Sequence, residues 1–322
     1  MLRIGALGAA RITPAALLAP ATELDHVEVV AIAAREHSRA VAFAQTHGIA
    51  RAYGSYEELL ADDFVDAVYN PLPNSAHGDL SMRALRAGKH VLCEKPMALN
   101  AREAQTMVGL ADELGLVLME AFHWRYHPVA ARCIEIAKQL GSLEHGESAF
   151  LGRITDEGDI RYQLALGGGA TMDLGCYCIH ALRVVSGEEP AVIAATALER
   201  PIGVDLTMDA ELRFPSGLEA RIRCSFEGPD QPVWYLVLEG SEGRMRMDNP
   251  FLPQFGNRLT AEFSNGTSID EEVTHRTSYR YQLEAFARAV HGDEAPLTGG
   301  ADAVANMAVI DAIYAASRLG PR

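Results

Sequence analysis

The tripeptide Glu94-Lys95-Pro96 follows a short apolar run, His90–Cys93, and puts a cation at the end of a strand pattern. Proline lacks an N–H and disfavours the helical region for the residue before it, so the lysine stands on a constrained turn. In a doubly wound sheet that turn borders the ligand crevice. A lysine there donates a proton or clamps an anion; the alternative is a surface lysine on an ordinary turn. A second set of residues, Gly8-Ala9-Ala10-Arg11-Ile12-Thr13-Pro14, follows the first strand pattern, Leu2–Leu7. Such a turn brings backbone N–H groups to a pyrophosphate at a helix start. Only Gly8 survives of the three glycines of G-x-G-x-x-G, with Ala10 and Thr13 in the other places. Ala10 still permits close approach, and Thr13 before Pro14 is placed to cap the helix. At the end of the second strand pattern, Val27–Ala33, Arg35 and Glu36 stand together. An arginine pairs with a 2′-phosphate, whereas an acid accepts the ribose hydroxyls. Arg35 comes first and favours NADP(H); Glu36 keeps NAD(H) open.

These residues need a frame that holds them at strand ends. The first 120 or so residues alternate strand and helix signals, which implies parallel βαβ units. Strand patterns lie at Leu2–Leu7, Val27–Ala33, Ala67–Asn70, His90–Cys93 and Val117–Ala121. Helical patterns lie at Pro14–Leu24, Ser38–Gly48, Tyr56–Ala61, His77–Ala87 and Ala101–Leu114, the last opened by Asn100 with Glu103 as a partial capping box. From Glu144 the texture changes to short alternating runs, Ala194–Leu198, Asp205–Phe214, Glu219–Phe226, Trp234–Gly240 and Arg244–Asp248, divided by tight turns. That pattern predicts a mostly antiparallel sheet. One long helix, Ala170–Ser186, precedes it, and two more, Ser278–Val290 and Ala301–Arg318, follow. The expected fold is α/β: a Rossmann domain over residues 1–122, then an α+β domain over 123–322 with a large open sheet. No later helix is abundant enough to cover both faces of that sheet, so its apolar alternation predicts a partner copy, a homodimer or homotetramer.

Composition narrows the partners. The 322 residues carry 28 Lys plus Arg against 43 Asp plus Glu, a formal charge of −15. An acidic surface repels phosphate backbones and anionic lipid, so neither nucleic acid nor membrane is expected as a partner. The N-terminus shows no signal-peptide layout, and no apolar stretch approaches a membrane span. Cys93, Cys133, Cys176, Cys178 and Cys224 are odd in number and without metal spacing, and read as reduced thiols of a cytoplasmic protein. No metal site and no hydrolase motif are expected.

Four further runs complete a pattern: Tyr69-Asn70-Pro71-Leu72-Pro73-Asn74-Ser75-Ala76-His77, the Glu94-Lys95-Pro96 turn, Glu120-Ala121-Phe122-His123-Trp124-Arg125-Tyr126-His127-Pro128, and Gly167-Gly168-Gly169-Ala170-Thr171-Met172-Asp173-Leu174-Gly175-Cys176-Tyr177. In this order they resemble the glucose–fructose oxidoreductase / inositol dehydrogenase / rhizopine-catabolism family along the whole chain, with the dihydrodiol dehydrogenases and NADP-linked D-xylose dehydrogenases nearest in pattern. The resemblance implies that Lys95 lies beside nicotinamide and the substrate hydroxyl, with Lys95-Pro96 often cis. It implies that Asp173 and Tyr177, four residues apart on a helix, are the second catalytic pair. Tyr177 stands where many relatives carry His, which favours a tyrosine acid/base. The alternative is that Asp173 caps the helix and Tyr177 is core.

On the cofactor side, Leu72, Asn74, His77, Glu94, Trp124 and Arg125 join the glycine turn. Asn74 and His77 face ribose or nicotinamide, or else cap the helix at His77. Trp124-Arg125 covers the cofactor, or is an ordinary packed turn. On the substrate side, His180 shares a helix face with Asp173 or is a core histidine, and Phe150, Trp234 and Tyr281 are candidate walls or core aromatics. The expected function is hydride transfer between NAD(P) and a carbinol or carbonyl carbon of a sugar, sugar derivative or cyclic diol. Lys95 and Tyr177 would take the hydroxyl proton, with Asp173 orienting. The rival is a nucleotide-binding regulator or sensor without turnover, which needs none of these three side chains.

Overall fold

The computed structural model describes residues 1–320 and Arg322. The chain divides into two compact units, Met1–His123 with Tyr279–Val304, and Trp124–Ser278 with Ala305–Arg322. The first break falls one residue from the 122/123 division. The return of Tyr279–Val304 to the first unit is not in that division. It follows from backbone pairing, because Glu120 N donates to Thr298 O at 2.6 Å and Met119 bridges to Gly299.

The first unit is built on six parallel strands, β1 (Leu2–Leu7), β2 (Val27–Ala33), β3 (Arg51–Tyr53), β4 (Ala67–Asn70), β5 (His90–Cys93) and β6 (Leu118–Glu120). Their order is β3-β2-β1-β4-β5-β6. Buried on both faces, β1, β4 and β5 are near-continuous apolar runs, as parallel strands require. The order reverses beside β1, and the loops after β1 and β4 there carry Gly8 and Leu72. The helix Ala101–Leu114 begins where Asn100 accepts Glu103 N at 3.0 Å and ends at Gly115, whose φ of +65° suits the left-handed cap. Two local readings differ. The predicted helix Pro14–Leu24 is a wide π turn, Pro14–Leu18, followed by the short helix Ala19–Ala21, and the Thr13 side chain does not cap it. The three-residue β3 was too short to show a period of two.

The second unit holds eight strands: β7 (Leu143–Leu151), β8 (Ala191–Glu199), β9 (Asp205–Arg213), β10 (Glu219–Ser225), β11 (Val233–Gly240), β12 (Gly243–Asp248), β13 (Arg258–Phe263) and β14 (Ser268–Glu271). They lie in the order β14-β13-β12-β11-β7-β10-β9-β8, antiparallel except for the β7–β10 pair. Leu206, Met208, Ala210 and Leu212 of β9, with Ile222 and Cys224 of β10, face inward. The helix Cys176–Ser186, nearly all of it buried, packs on β7, β10 and β11. The opposite face corrects the sequence reading. It is covered by opposite charges set directly across from each other, Arg221–Glu211 at 3.1 Å and Arg213–Glu219 at 2.9 Å, with Arg244–Glu262 at 2.9 Å further along. The alternation therefore puts the apolar residues under the helices, and the open face is not an apolar surface in need of cover. Among the described residues no helix is long and apolar enough to cross a membrane.

Candidate functional site

In the first unit the glycine turn is shaped for close approach. Gly8 has φ +96°, a conformation that strains any side chain, and a Cβ there would lie 2.7 Å from Leu72 Cδ2, so the turn favours glycine. Thr13 N donates to Ala10 O at 3.2 Å, and Ile12 O accepts Ala15 N and Ala16 N at 3.1 and 2.9 Å, which curls Ala9, Ala10, Arg11 and Ile12 into the helix start. Thr13 Oγ1 is buried without a partner among the described residues, a donor and acceptor that the protein itself leaves open. Arg35 and Glu36 are exposed at the end of β2. The sequence reading missed Arg39, one turn into the next helix, whose Nη2 lies 3.5 Å from Ala9 O. Burial raises the Tyr56 hydroxyl pKa, while the guanidinium charges of Arg35 and Arg39 pull it back. Tyr56 Oη is 4.0 Å from the Cβ position of Gly8, so two cations and the glycine turn share one neighbourhood. A dinucleotide carrying a 2′-phosphate fits this donor set.

The lysine turn follows β5. Tyr69 Oη donates to Glu94 Oε1 at 2.6 Å, Lys95 N donates to Glu94 Oε2 at 3.3 Å, and the Lys95-Pro96 bond is cis. Lys95 itself is half-buried. His77 is fully buried, with its two ring nitrogens each 2.8 Å from a backbone carbonyl, Pro96 O and Leu72 O. Burial, and then the nearby Lys95 charge, outweigh those carbonyls and hold its pKa down to about 4. The ring is thus neutral at pH 7, and its single N–H donates to one of the two carbonyls while the other nitrogen only packs against the second. This corrects the expectation that it faces ribose or nicotinamide, since the ring is fully buried and both nitrogens point at backbone carbonyls. It does not cap its helix either, because Ala76 occupies the cap position. Asn74 lies half-buried in the short 3₁₀ turn Asn74–Ala76.

In the second unit the helix bearing the predicted pair opens with a wide π turn, Thr171–Gly175, before Cys176–Ser186. Asp173 lies in the π turn, and its Oδ2 accepts Arg161 Nε at 2.6 Å. Arg161 is raised in pKa chiefly by the Asp173 charge and also reaches Asp159 at 3.2 Å. Arg161 lies in the three-residue 3₁₀ turn Ile160–Tyr162, too short for a periodic signal, so sequence reading had no handle on it. Asp173 does not cap the helix. Asp205, from the start of β9, accepts Thr171 N at 2.7 Å in that role.

Tyr177 is buried against rings. Phe150 of β7 and Trp234 of β11 are cross-strand partners with centroids 5.2 Å apart, and Phe150 lies 5.8 Å from Tyr177. Phe251, which the sequence reading did not single out, stacks on Phe150 at 5.5 Å and stands 5.2 Å from Tyr177. His180 is fully buried and accepts Trp124 Nε1 at 3.0 Å, so it is the core histidine of the two alternatives. Trp124 is also fully buried, edge-on to His180 and Phe251, which makes it packing rather than an exposed cover. Arg125 is half-buried in the 3₁₀ turn His123–Tyr126. Tyr281 stands on the helix Ser278–His291 of the first unit, 6.0 Å from the Arg280 guanidinium.

A doubly wound sheet with a glycine turn and paired cations, followed by an open-sheet unit carrying a carboxylate and a tyrosine on one helix, defines a nicotinamide-dependent oxidoreductase. Residues 2–122 match the oxidoreductase family with an NAD-binding Rossmann fold, and residues 130–246 match the GFO/IDH/MocA C-terminal domain. The chain belongs to this glucose–fructose oxidoreductase, inositol dehydrogenase and MocA family. It is 40% identical over 98% of its length, and 97% of the relative's, to D-xylose 1-dehydrogenase (NADP(+)) 2 of Haloferax volcanii. It is 32% identical to trans-1,2-dihydrobenzene-1,2-diol dehydrogenase of Xenopus tropicalis, over 78% of this chain and 80% of that one. A 3-ketoreductase of Actinomadura kijaniata, solved with NADP and TDP-benzene, superposes with a TM-score of 0.90 at 30% identity over 98% of this chain and 97% of that one. That ketoreductase has also been solved with a lysine changed to alanine or glutamate and with a tyrosine changed to phenylalanine.

Proposed function

We propose that the protein uses NADP(H) to interconvert a carbinol and a carbonyl carbon of an aldose or, second, a cyclic trans-diol. The observation that carries the substrate class is the end-to-end likeness to an NADP(+)-linked D-xylose dehydrogenase. Cofactor choice rests on Arg35 and Arg39, which supply two guanidinium groups for a 2′-phosphate. The backbone of Gly8–Ile12 would hold the pyrophosphate, with Leu72 against the turn. The bound nicotinamide supplies the hydride acceptor or donor. Lys95 and Tyr177 are the groups for the hydroxyl proton. Lys95 is steadied by the turn that Glu94 and His77 hold, and Tyr177 is fixed by its ring neighbours. Asp173, held by Arg161, orients the substrate hydroxyls. Phe150 and Trp234 would give an apolar wall to a ring carbon face. A homodimer or homotetramer is also proposed, on family likeness alone.

The experiment is NADP+ reduction by the purified protein across aldopentoses, aldohexoses and trans-dihydrodiols. Turnover of an aldose with NADP+ is expected. No turnover of any of them, in either direction and with either nicotinamide cofactor, would sink the substrate class.

A further inference from the structure

We propose that Asp205 is a positioning residue that aims the start of the helix carrying Asp173 and Tyr177. The proposal rests on the reading that these two side chains act on the substrate. Asp205 is the first residue of β9 and is completely buried. Its Oδ2 accepts Thr171 N at 2.7 Å and Thr171 Oγ1 at 2.6 Å. Its Oδ1 accepts Tyr314 Oη at 2.9 Å and Arg322 Nη2 at 2.8 Å, and the Arg322 side chain is buried with it. A carboxylate withdrawn from water is costly unless its lone pairs are met, and here four donors meet them. Two of the four belong to one residue, Thr171, two positions before Asp173 and six before Tyr177.

The local sequence is shaped around this carboxylate. Gly169 has φ +131°, and a Cβ there would sit 2.2 Å from Asp205 Oδ1. Gly168 would meet Arg161 O at 2.4 Å, and Gly169 N donates to that same carbonyl at 2.9 Å. The run Gly167-Gly168-Gly169 therefore lets the chain enter the helix between Asp205 and the loop that carries Arg161, the residue that holds Asp173. A π turn has longer-range hydrogen bonds than a regular helix and often marks a functional site. Asp205 holds its first residue from outside by two bonds. A second tether, Asn306 Nδ2 to Cys176 O at 3.4 Å, comes from the helix Ala301–Ala316, which also supplies Tyr314.

The test compares the full-length protein with Asp205→Asn, and with Asn257→Ala, just before β13, as a matched destabilised control, well below both melting temperatures. D-xylose and NADP+ are the probes. Asp205→Asn should lower kcat by about tenfold, the size of losing one hydrogen bond to a charged group, with KM and NADP+ affinity within about threefold. Hydrogen–deuterium exchange of amides 171–177 should accelerate, and the control should do neither. Should Asp205→Asn not fold, Thr171→Val keeps the volume, removes one donor, and reads the same link by exchange and kcat. Unchanged exchange at 171–177 overturns the proposal whatever the activity. Faster exchange with normal kcat also overturns it, provided that Tyr177→Phe is impaired. If Tyr177→Phe and Asp173→Asn both turn over normally, the reading of the site fails instead and the proposal falls with it.

Discussion

Arg161 Nε donates to Asp173 Oδ2 at 2.6 Å, so the carboxylate at the helix start is held by a guanidinium from the short 3₁₀ turn Ile160–Tyr162. Both groups are partly open to solvent, and the contact serves direction more than stability. Arg161→Met is expected to lower kcat about tenfold while shifting the melting temperature little, because a hydrogen bond between charged groups is worth roughly 1.5–3 kcal/mol only where its geometry is used. Steady-state kinetics beside a thermal melt checks this. A fall in stability with kcat intact would mark the pair as structural.

Lys95→Ala should cost about 10²–10⁴ in turnover, the usual contribution of a positioned acid or base, with NADP+ affinity nearly unchanged. Tyr177→Phe keeps the ring against Phe150 and Phe251 and removes only the hydroxyl. Its loss in kcat therefore reads proton handling without repacking. Near-full turnover in Tyr177→Phe would leave Lys95 or water as the proton route.

Arg35→Ala and Arg39→Ala should each weaken NADP+ by roughly ten- to a hundredfold, since a guanidinium–phosphate contact is worth roughly 1.5–3 kcal/mol. NAD+ should lose threefold or less, about the scatter of a change that touches no bound charge. Calorimetric titration of both cofactors into each variant decides it. Parallel losses for NAD+ and NADP+ would move the arginines from the 2′-phosphate to general phosphate binding.

Stability should fall as pH drops from 6.5 to about 4. Burial holds both His77 and His127 neutral in the folded chain, with pKa values of about 4 against an ordinary 6.5. Between those values the unfolded chain binds protons that the folded chain refuses, so each ring contributes stability that is present above pH 6.5 and lost on acidification. Urea midpoints across that range should decline, and His77→Gln should flatten the decline. An equal slope in that variant would place the acid sensitivity elsewhere.

Light scattering should give twice or four times the 34.8 kDa of one chain. Arg221→Glu sets a like charge directly across from Glu211. If the open face joins copies, that reversal dissociates them; if the face is only solvated, the mass stays and stability moves by about 0.5 kcal/mol.

Much of the frame was legible because it rests on local rules. The strands β1, β2, β4 and β5 are apolar runs bounded by turn residues, and Asn100 with Gly115 marks a helix at both ends. The central strand β7 was not, because Leu143–Leu151 mixes glycine and charge and is held by neighbours far along the chain. The helix Pro128–Ala137 was likewise passed over. Of the candidate site, Gly8, Lys95, Asp173 and Tyr177 were proposed from motifs. Arg161, Phe251 and Asp205 were not, since their contacts with Asp173, Tyr177 and Thr171 arise only on folding and carry no local signature. His77 was misassigned because residue type cannot show that the ring is buried with both nitrogens against backbone carbonyls.

The return of Tyr279–Val304 to the first unit sets a timetable for synthesis. A ribosome adding roughly 5–20 residues per second needs about 15–60 seconds to deliver residue 304. Until then β6 lacks the Met119–Gly299 bridge and the Glu120–Thr298 bonds, and shows an open strand edge. Such edges recruit other chains. The nascent protein is therefore most exposed to wrong partners after its nucleotide-binding sheet has formed and before its last helices emerge. A fragment cut at residue 122 would keep that exposure permanently.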